Sequence, residues 1–307
     1  MSRTKNPAKG IVVALLGALL AALLLIHELI PTTNGIALIV ESALPWTWVL
    51  LVLLLLLALI RLSPLSIIGV LIPALVWGVM FGPFLKPASD DRDADLIVAT
   101  HNVGARLPQP TATARAIIDQ NPDVVVIQEL ESLSGKIIKK ELDKSFKYTQ
   151  VADTVGVWSR WPLTQKQNID LGLQWPRAFE TTVQSDHGDV KLYAVHVPSV
   201  RPGVEALRNS ALQKLSSAVN QEDAEHLIVA GDFNAVQTDR YFKDLDEQLV
   251  DSRKAVGGGF GFTWPAQFPA VRLDHIMVRG LDPVYDTVMD RGTSDHRAII
   301  AGLNLTK

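Results

Sequence analysis

The sequence predicts an α/β domain of two packed sheets with helices outside, carried behind an all-α apolar region. Three observations carry this. Residues up to about 88 are nearly all apolar, with charge only at Arg3, Lys5, Lys9, Glu28, Glu41, Arg61 and Lys86. Beyond them short β-like runs recur, and several follow one another with no helical stretch between. Where helical periodicity occurs, in "TATARAIIDQN" and "PGVEALRNSALQKLSSAVNQ", it is amphipathic, as expected of helices laid over a sheet. A singly alternating strand–helix order does not fit.

Within the apolar region (1–88) three spans are expected, at 11–30, 43–60 and 64–85. The first, "IVVALLGALLAALLLIHELI", has about the 20 residues that cross a bilayer. It is too long for the apolar core of a cleaved signal peptide, and no small-x-small site follows it. The second, "WTWVLLVLLLLLALI", is short alone and is extended by "GIALIVESAL". The third contains Pro73, which can kink a membrane helix without preventing insertion. Neither the second nor the third has a polar face, so neither reads as a buried soluble helix.

Positive charge sets the orientation. Arg3, Lys5 and Lys9 precede the first span, the next connection has no Lys or Arg, and Arg61 lies in the connection after that. The N-terminus is therefore expected on the cytoplasmic side of a plasma membrane and everything after the third span outside it. Lys86 and Arg92 count against this, but Asp90, Asp91, Asp93 and Asp95 stand beside them. His27, Glu28 and Glu41 are placed at the outer interface. A linker (89–95) lies within the polar stretch "KPASDDRDAD", and the soluble domain covers 96–307.

In that domain the expected strands are "DLIVATHNV", "DVVVIQEL", "TVGVWSRWPL", "AFETTVQS", "DVKLYAVHVP", "HLIVAGDFN", "LDHIMVRG" and "HRAIIAGLNL". The first helix is expected to start near Thr111 or Thr113 and to stop at Asn121-Pro122, the second to run from Val204 through Val219. With a formal net charge of -3 the chain has no basic excess, which disfavours duplex binding. It has no cysteine, which excludes zinc–thiolate sites, disulfides and thiol nucleophiles.

Polar residues gather at the strand ends. Asn102, Glu129, His196, Asp232 and Asn234 close strands, while Asp274 and the pair Asp295-His296 open them. Any one of these alone reads better as a strand cap, a turn or a surface charge; the whole set is harder to dismiss. Oxygen ligands without thiols suit Mg²⁺, Mn²⁺ or Ca²⁺ rather than zinc. Two histidines among carboxylates can move protons and hydrogen-bond phosphoryl oxygens. Metal-assisted attack of water on a phosphate ester uses all of these groups.

The ordered set "HNV", "IQE", "SRWPL", "VH", "GDFNA", "TW", "RLDHI" and "SDH", spread over about Asp95 to Leu305, resembles the endonuclease/exonuclease/phosphatase superfamily. That group includes deoxyribonuclease I, abasic-site endonucleases, neutral sphingomyelinases and inositol-polyphosphate 5-phosphatases. The resemblance implies a four-layer α/β/β/α sandwich of the deoxyribonuclease I type and divalent-metal cleavage of phosphoesters, with Mg²⁺ the usual ion and Mn²⁺ an alternative. Matched position by position, it implies Glu129 as principal metal ligand with Asn102 beside it and Asp295 as a metal-site or orienting acid. It further implies Asp232 positioning or activating water, Asn234 holding that water or a phosphate oxygen, and His196 and His296 at the phosphate, with Asp274 polarising His296. Arg177 and the "SRWPL" element also match, as a substrate contact or simply as structure. His275 stands where a tyrosine is frequent. "FGFTWPAQFPAVR" could form a substrate-side loop or bury Trp264 and Phe268 in the core.

The function expected is a membrane-anchored phosphoesterase acting on a lipid-linked phosphate or phosphodiester at the outer face of the membrane. An extracellular nuclease and a non-catalytic membrane-tethered binding module are the alternatives. A bilayer and a phosphate ester are the expected partners, lipid-linked first and nucleic acid second; nothing in the sequence names a protein partner.

Overall fold

A computed structural model of the chain describes residues 10–306 except 33–34, 90, 92, 105, 131–132 and 201–204. Arg3, Lys5, Lys9, Asp90, Arg92 and Val204 lie outside the described residues. The chain divides into two compact units between Leu85 and Lys86.

In the first unit the apolar runs fold as helices α1 (Ile11–Ile26), α2 (Ile36–Ala43), α3 (Trp48–Arg61) and α4 (Pro64–Phe81). With their flanking 3₁₀ turns they make three helices long and apolar enough to cross a membrane, Ile11–Leu29, Ile36–Arg61 and Pro64–Leu85. The second starts earlier than position 43, because "IALIVESA" winds as α2 and a 3₁₀ turn at Leu44–Thr47, which contains Pro45, joins it to α3. Leu62 in the left-handed region (φ 47) ends α3, and Ser63 starts α4 with a capping box to Ser66. The helix runs on through Pro73. Helices α1 and α4 meet at Gly17 and Gly69, where a Cβ on Gly17 would lie 1.7 Å from the Gly69 carbonyl oxygen. Only hydrogen at both positions allows so close an approach of backbones.

In the second unit, strands β1 (Leu96–Asn102), β2 (Val124–Gln128), β3 (Tyr148–Ala152) and β4 (Val155–Ser159) join β11 (Leu281–Val288) and β12 (Ile299–Leu305) in one six-stranded sheet, order β11-β12-β1-β2-β4-β3. The other sheet holds β5 (Gln167–Asn168), β6 (Ala178–Ser185), β7 (Gly188–His196), β8 (Leu227–Asp232), β9 (Val250–Asp251) and β10 (Asp274–Arg279), order β5-β6-β7-β8-β10-β9. Each sheet has one parallel pair, β1 with β2 and β7 with β8.

Helices α5 (Pro110–Ile118) and α6 (Leu133–Leu142) cover the outside of the first sheet, and α7 (Glu205–Gln221) and α8 (Lys243–Gln248) the outside of the second. The short α9 (Ser252–Val256) follows β9, with the Asp251 side chain accepting from the Lys254 N–H as its cap. The core between the sheets takes alternate side chains from both, Val98, Val126 and Ile299 meeting Leu192, Ala230 and Ile276. Burying one such side chain is worth roughly 1.5–3 kcal/mol. The result is the four-layer α/β/β/α sandwich. Helix α5 begins at Pro110 after Gln109, not at a threonine cap, because proline at the first helical position is already set for a helix.

Candidate active site

Strand ends at one edge of the sandwich place the polar set. β1 and β2 run parallel in register, with Asn102 opposite Gln128, so Asn102 and Glu129 emerge side by side. β7 and β8 do the same for His196 and Asp232, and antiparallel β10 sets Asp274 opposite Asp232. Asn102 then reaches across, its Nδ2 donating to Asp232 Oδ2 (2.9 Å) and lying 3.2 Å from Glu129 Oε1. Asp232 is held a second time by Asn234, which donates its backbone N–H to Oδ1 (2.8 Å) and its Nδ2 to Oδ2 (2.9 Å). The turn formed by "GDFN" is therefore both an Asx turn and part of the polar cluster.

Asn234 and Glu129 both have left-handed backbones, φ 48 and 65. Asparagine tolerates this region; a glutamate there costs of order 1 kcal/mol or more, a strain that clusters at working sites.

His296, ahead of β12, points Nδ1 at Asp274 Oδ2 (2.9 Å). Its backbone N–H donates to Ser294 Oγ (3.1 Å), and that hydroxyl donates to the Asn102 carbonyl (2.8 Å). His196 Nε2 lies 4.0 Å from Glu129 Oε1 and 3.9 Å from Asp232 Oδ2, and the Arg177 guanidinium rests against its ring, 2.7 Å from Nδ1. Asp295 is exposed at the rim, its Oδ1 only 2.9 Å from where a Cβ of Gly104 would sit. Gly104 (φ 69) also donates its N–H to Asn102 Oδ1 (3.0 Å), so a substituted residue there would crowd Asp295 and strain the turn that holds Asn102. All the sequence-predicted site residues thus stand at one edge of the sandwich. In "SRWPL", Ser159 Oγ accepts from the Trp161 N–H (3.0 Å), which makes that element a turn.

The two histidines differ electrically. Burial alone would lower His296, but the Asp274 and Asp232 carboxylates outweigh it and raise the ring to about 10. Burial, then Arg177 and His296, hold His196 well below its ordinary value. Burial lifts Asp232 to about 6, with Asp274 adding and His296 opposing. Burial would raise Asp274 as well, but its His296 partner holds it below the usual carboxylate value. Near neutrality His296 is therefore an imidazolium, His196 a neutral imidazole, and Asp232 and Asp274 are carboxylates.

Two donor sets could face a cation. Asp232, Asp274 and His296 have ligand atoms within 4.8 Å of one another. They already serve each other and the Asn102 and Asn234 amides, and His296 carries a proton; only Asp274 Oδ1 is buried without a hydrogen-bond partner. Glu129 is partly exposed and lies beside Asn102, and Asp295 is exposed at the rim next to Gly104. That all-oxygen set fits a hard divalent ion better.

Sequence reasoning misses several supports. His101, buried and next to last in β1, sets its Nε2 3.3 Å from the His296 carbonyl, and burial pushes its pKa down to about 4. Thr263 Oγ1 accepts from the Leu273 and Asp274 N–H groups (3.2 and 3.4 Å). The fully buried His275 faces Asp251 Oδ2 (2.7 Å) and the Ala235 carbonyl (3.0 Å), clamping the chain just after Asn234. The quoted motifs "HNV" and "TW" contain His101 and Thr263, but a motif match alone gives neither residue a role.

The model of the Endonuclease/Exonuclease/phosphatase family matches residues 99–296. The uncharacterized protein YbhP of Escherichia coli (strain K12) is 30% identical over 160 residues, 48% of this chain and 62% of that protein. The chain thus spans less than two thirds of the length of the curated relatives it matches. Among solved structures, an endonuclease/exonuclease/phosphatase from Beutenbergia cavernae superposes with a TM-score of 0.58 at 23% identity, over 69% of this chain and 72% of that one. D. rerio TDP2 complexed with single strand DNA product does so at 0.58 and 20%, over 68% and 98%. At these identities the likeness speaks to the fold. With the family match spanning the strands that carry the polar edge, this chain belongs to the endonuclease/exonuclease/phosphatase family.

Proposed function

We propose that the chain is a divalent-metal-dependent phosphoesterase, anchored by the three apolar helices Ile11–Leu29, Ile36–Arg61 and Pro64–Leu85, whose domain 96–307 hydrolyses a lipid-linked phosphate or phosphodiester at the outer face of the plasma membrane. The observation that carries the chemistry is the hydrogen-bonded run Glu129–Asn102–Asp232–Asn234 facing the His296–Asp274 pair. Glu129, with Asn102 and Asp295, would hold Mg²⁺ or Mn²⁺, which when bound supplies positive charge for the phosphate oxygens. Water attacks phosphorus in line while Asp232, deprotonated near neutrality, takes its proton and Asn234 fixes its position. His296, held protonated by Asp274, sets its Nε2–H toward the phosphate and gives the proton to the leaving oxygen. His196, neutral and flanked by Arg177, hydrogen-bonds a phosphoryl oxygen rather than adding a second cation.

Lipid is favoured as the carrier because the spans keep the site beside a bilayer. A nuclease is the second reading, favoured by the superposition on TDP2, whose structure holds a single strand DNA product. Full-length chain in nanodiscs, offered phospholipids, single-stranded DNA and a soluble phosphodiester with Mg²⁺ or with chelator, separates these readings. Hydrolysis of phospholipid only with metal is expected. Hydrolysis of DNA alone would reverse the order of substrates, and none of any substrate would leave a binding module.

A further inference from the structure

Exposed apolar side chains are informative when they gather. Among the described residues of the second unit, the exposed large apolar side chains are Leu133, Trp175, Leu207, Val250, Trp264 and Phe268. All but Val250 lie at the edge that carries the polar site. Leu133 opens α6 just beyond Glu129, Trp175 precedes Arg177, and Leu207 is in the first turn of α7, reached from His196. Trp264 and Phe268 lie on the stretch that runs into Asp274, and Phe268 is 83% exposed. Val250 pairs with Val278, and Val278 with Ile228, at the opposite end of β8 from Asp232.

That same stretch receives the tether. The Gly258 N–H donates to the Lys86 carbonyl (2.9 Å) and the Ser89 N–H to the Val256 carbonyl (3.2 Å). Lys86 directly follows in sequence the last residue of the third apolar helix, Pro64–Leu85. One segment, 256–274, therefore holds the tether's docking point, carries two exposed aromatics, and supplies Thr263 to the Asp274 backbone.

We propose that a lipid bilayer covers this rim, with Trp264 and Phe268 seated in the interfacial layer of the membrane that the helices cross. Tryptophan and phenylalanine suit that layer, and a tether docked on the same segment, at Val256 and Gly258, makes the contact intramolecular, at high effective concentration. The mouth of the site is thereby held at headgroup level, where it takes a phosphoester borne by a lipid. The inference rests on the proposed membrane crossing of the first unit and not on hydrolysis. Base stacking on Trp264 is the competing use of the same side chains.

The chain has no cysteine, so one introduced thiol carries one label. Full-length Phe268→Cys, with Trp264→Cys as a second site, is labelled with an environment-sensitive fluorophore and placed in phosphatidylcholine–phosphatidylglycerol nanodiscs doped with nitroxide lipid. Leu55→Cys, on an exposed position of α3, reports the membrane crossing itself; Asp186→Cys, in the turn between β6 and β7, reports water. Quenching at Leu55, Phe268 and Trp264 several-fold above that at Asp186 is expected, unchanged by added oligodeoxythymidine. Quenching at Leu55 with Phe268 and Trp264 as wet as Asp186 overturns the inference and leaves the membrane crossing standing. No quenching at Leu55 removes both. Shielding of the two rim labels by oligodeoxythymidine instead of lipid assigns the rim to nucleic acid and overturns the inference.

Discussion

Replacing Asp274 by Asn keeps the side chain's size and removes its charge. His296 is almost wholly buried, and its shift from 6.5 to about 10 corresponds to a preference for the imidazolium on the order of 5 kcal/mol. Asp274 is the largest of the raising influences, ahead of Asp232 and Asp295, so its charge supplies about half or more of this. Asp274→Asn should bring the His296 titration down by about two units or more, toward neutrality. With the ring then titrating at about 8 or below, lost protonation should cut turnover about twofold or more at pH 8 and about fiftyfold or more at pH 10, with substrate affinity little changed, because the imidazolium acts as charge builds on the phosphate.

Stability should follow linkage. A histidine raised in the folded state stabilises fully below its unfolded pKa of 6.5 and ceases to do so as pH rises through about 10. The variant should therefore lose most stability at pH 6 and least above pH 10. The assay is a pH–rate profile with histidine NMR and melts on Asp274→Asn, His296→Ala and the double variant. Because the two residues act as a unit, the double variant should be far less damaged than the product of the singles. A lower melting temperature with unchanged turnover per folded molecule, or losses that multiply, would refute the reasoning.

Glu129→Gln should be folded and nearly inactive, and wild-type activity should vanish in chelator and return with Mg²⁺ or Mn²⁺; activity in excess chelator would remove the metal from the account. Glu129→Gly should in addition raise stability by about 1 kcal/mol, since glycine tolerates the positive φ, a gain to be read in melts. His101 is lowered in the folded state, so its contribution is full above 6.5 and is lost as pH falls toward about 4, a slope worth on the order of 3 kcal/mol. Melts of chelated protein between pH 4 and 7 should show that slope, and His101→Gln should flatten it. A reporter fused after Lys307 should be active only outside the cytoplasm; activity only inside would mean an even number of crossings.

Periodicity made most of the fold legible. The apolar runs, the eight long-patterned strands and the amphipathic α5 and α7 announce themselves, and the polar strand ends of Asn102, Glu129 and Asp232 stand out because the strands before them are so apolar. What escaped has physical causes. β11 carries Asp282, Pro283 and Asp286 and lies at a sheet edge with an irregular register, so it lacks strand alternation. α6 is polar along much of its length, and β9 has two residues. Side chains that act through partners distant in sequence leave no local mark: Asp251 and His275 meet only once β9 and β10 pair. The left-handed backbone of Glu129 is likewise imposed by the fold, against the residue's own preference.

Asn102 closes a strand of one sheet and Asp232 a strand of the other; His296 leads into the first sheet and Asp274 opens a strand of the second. Both bonds are stitches across a seam, and the seam itself is the greasy layer of Val126, Ala230, Ile276 and their neighbours. Chemistry here is therefore a vernier for sliding of one sheet over the other. A slip of a few tenths of an ångström, harmless to an interface of interchangeable methyl groups, opens both stitches together. Wear in that layer, by truncated side chains or by hydrostatic pressure, should silence the site while both sheets remain intact.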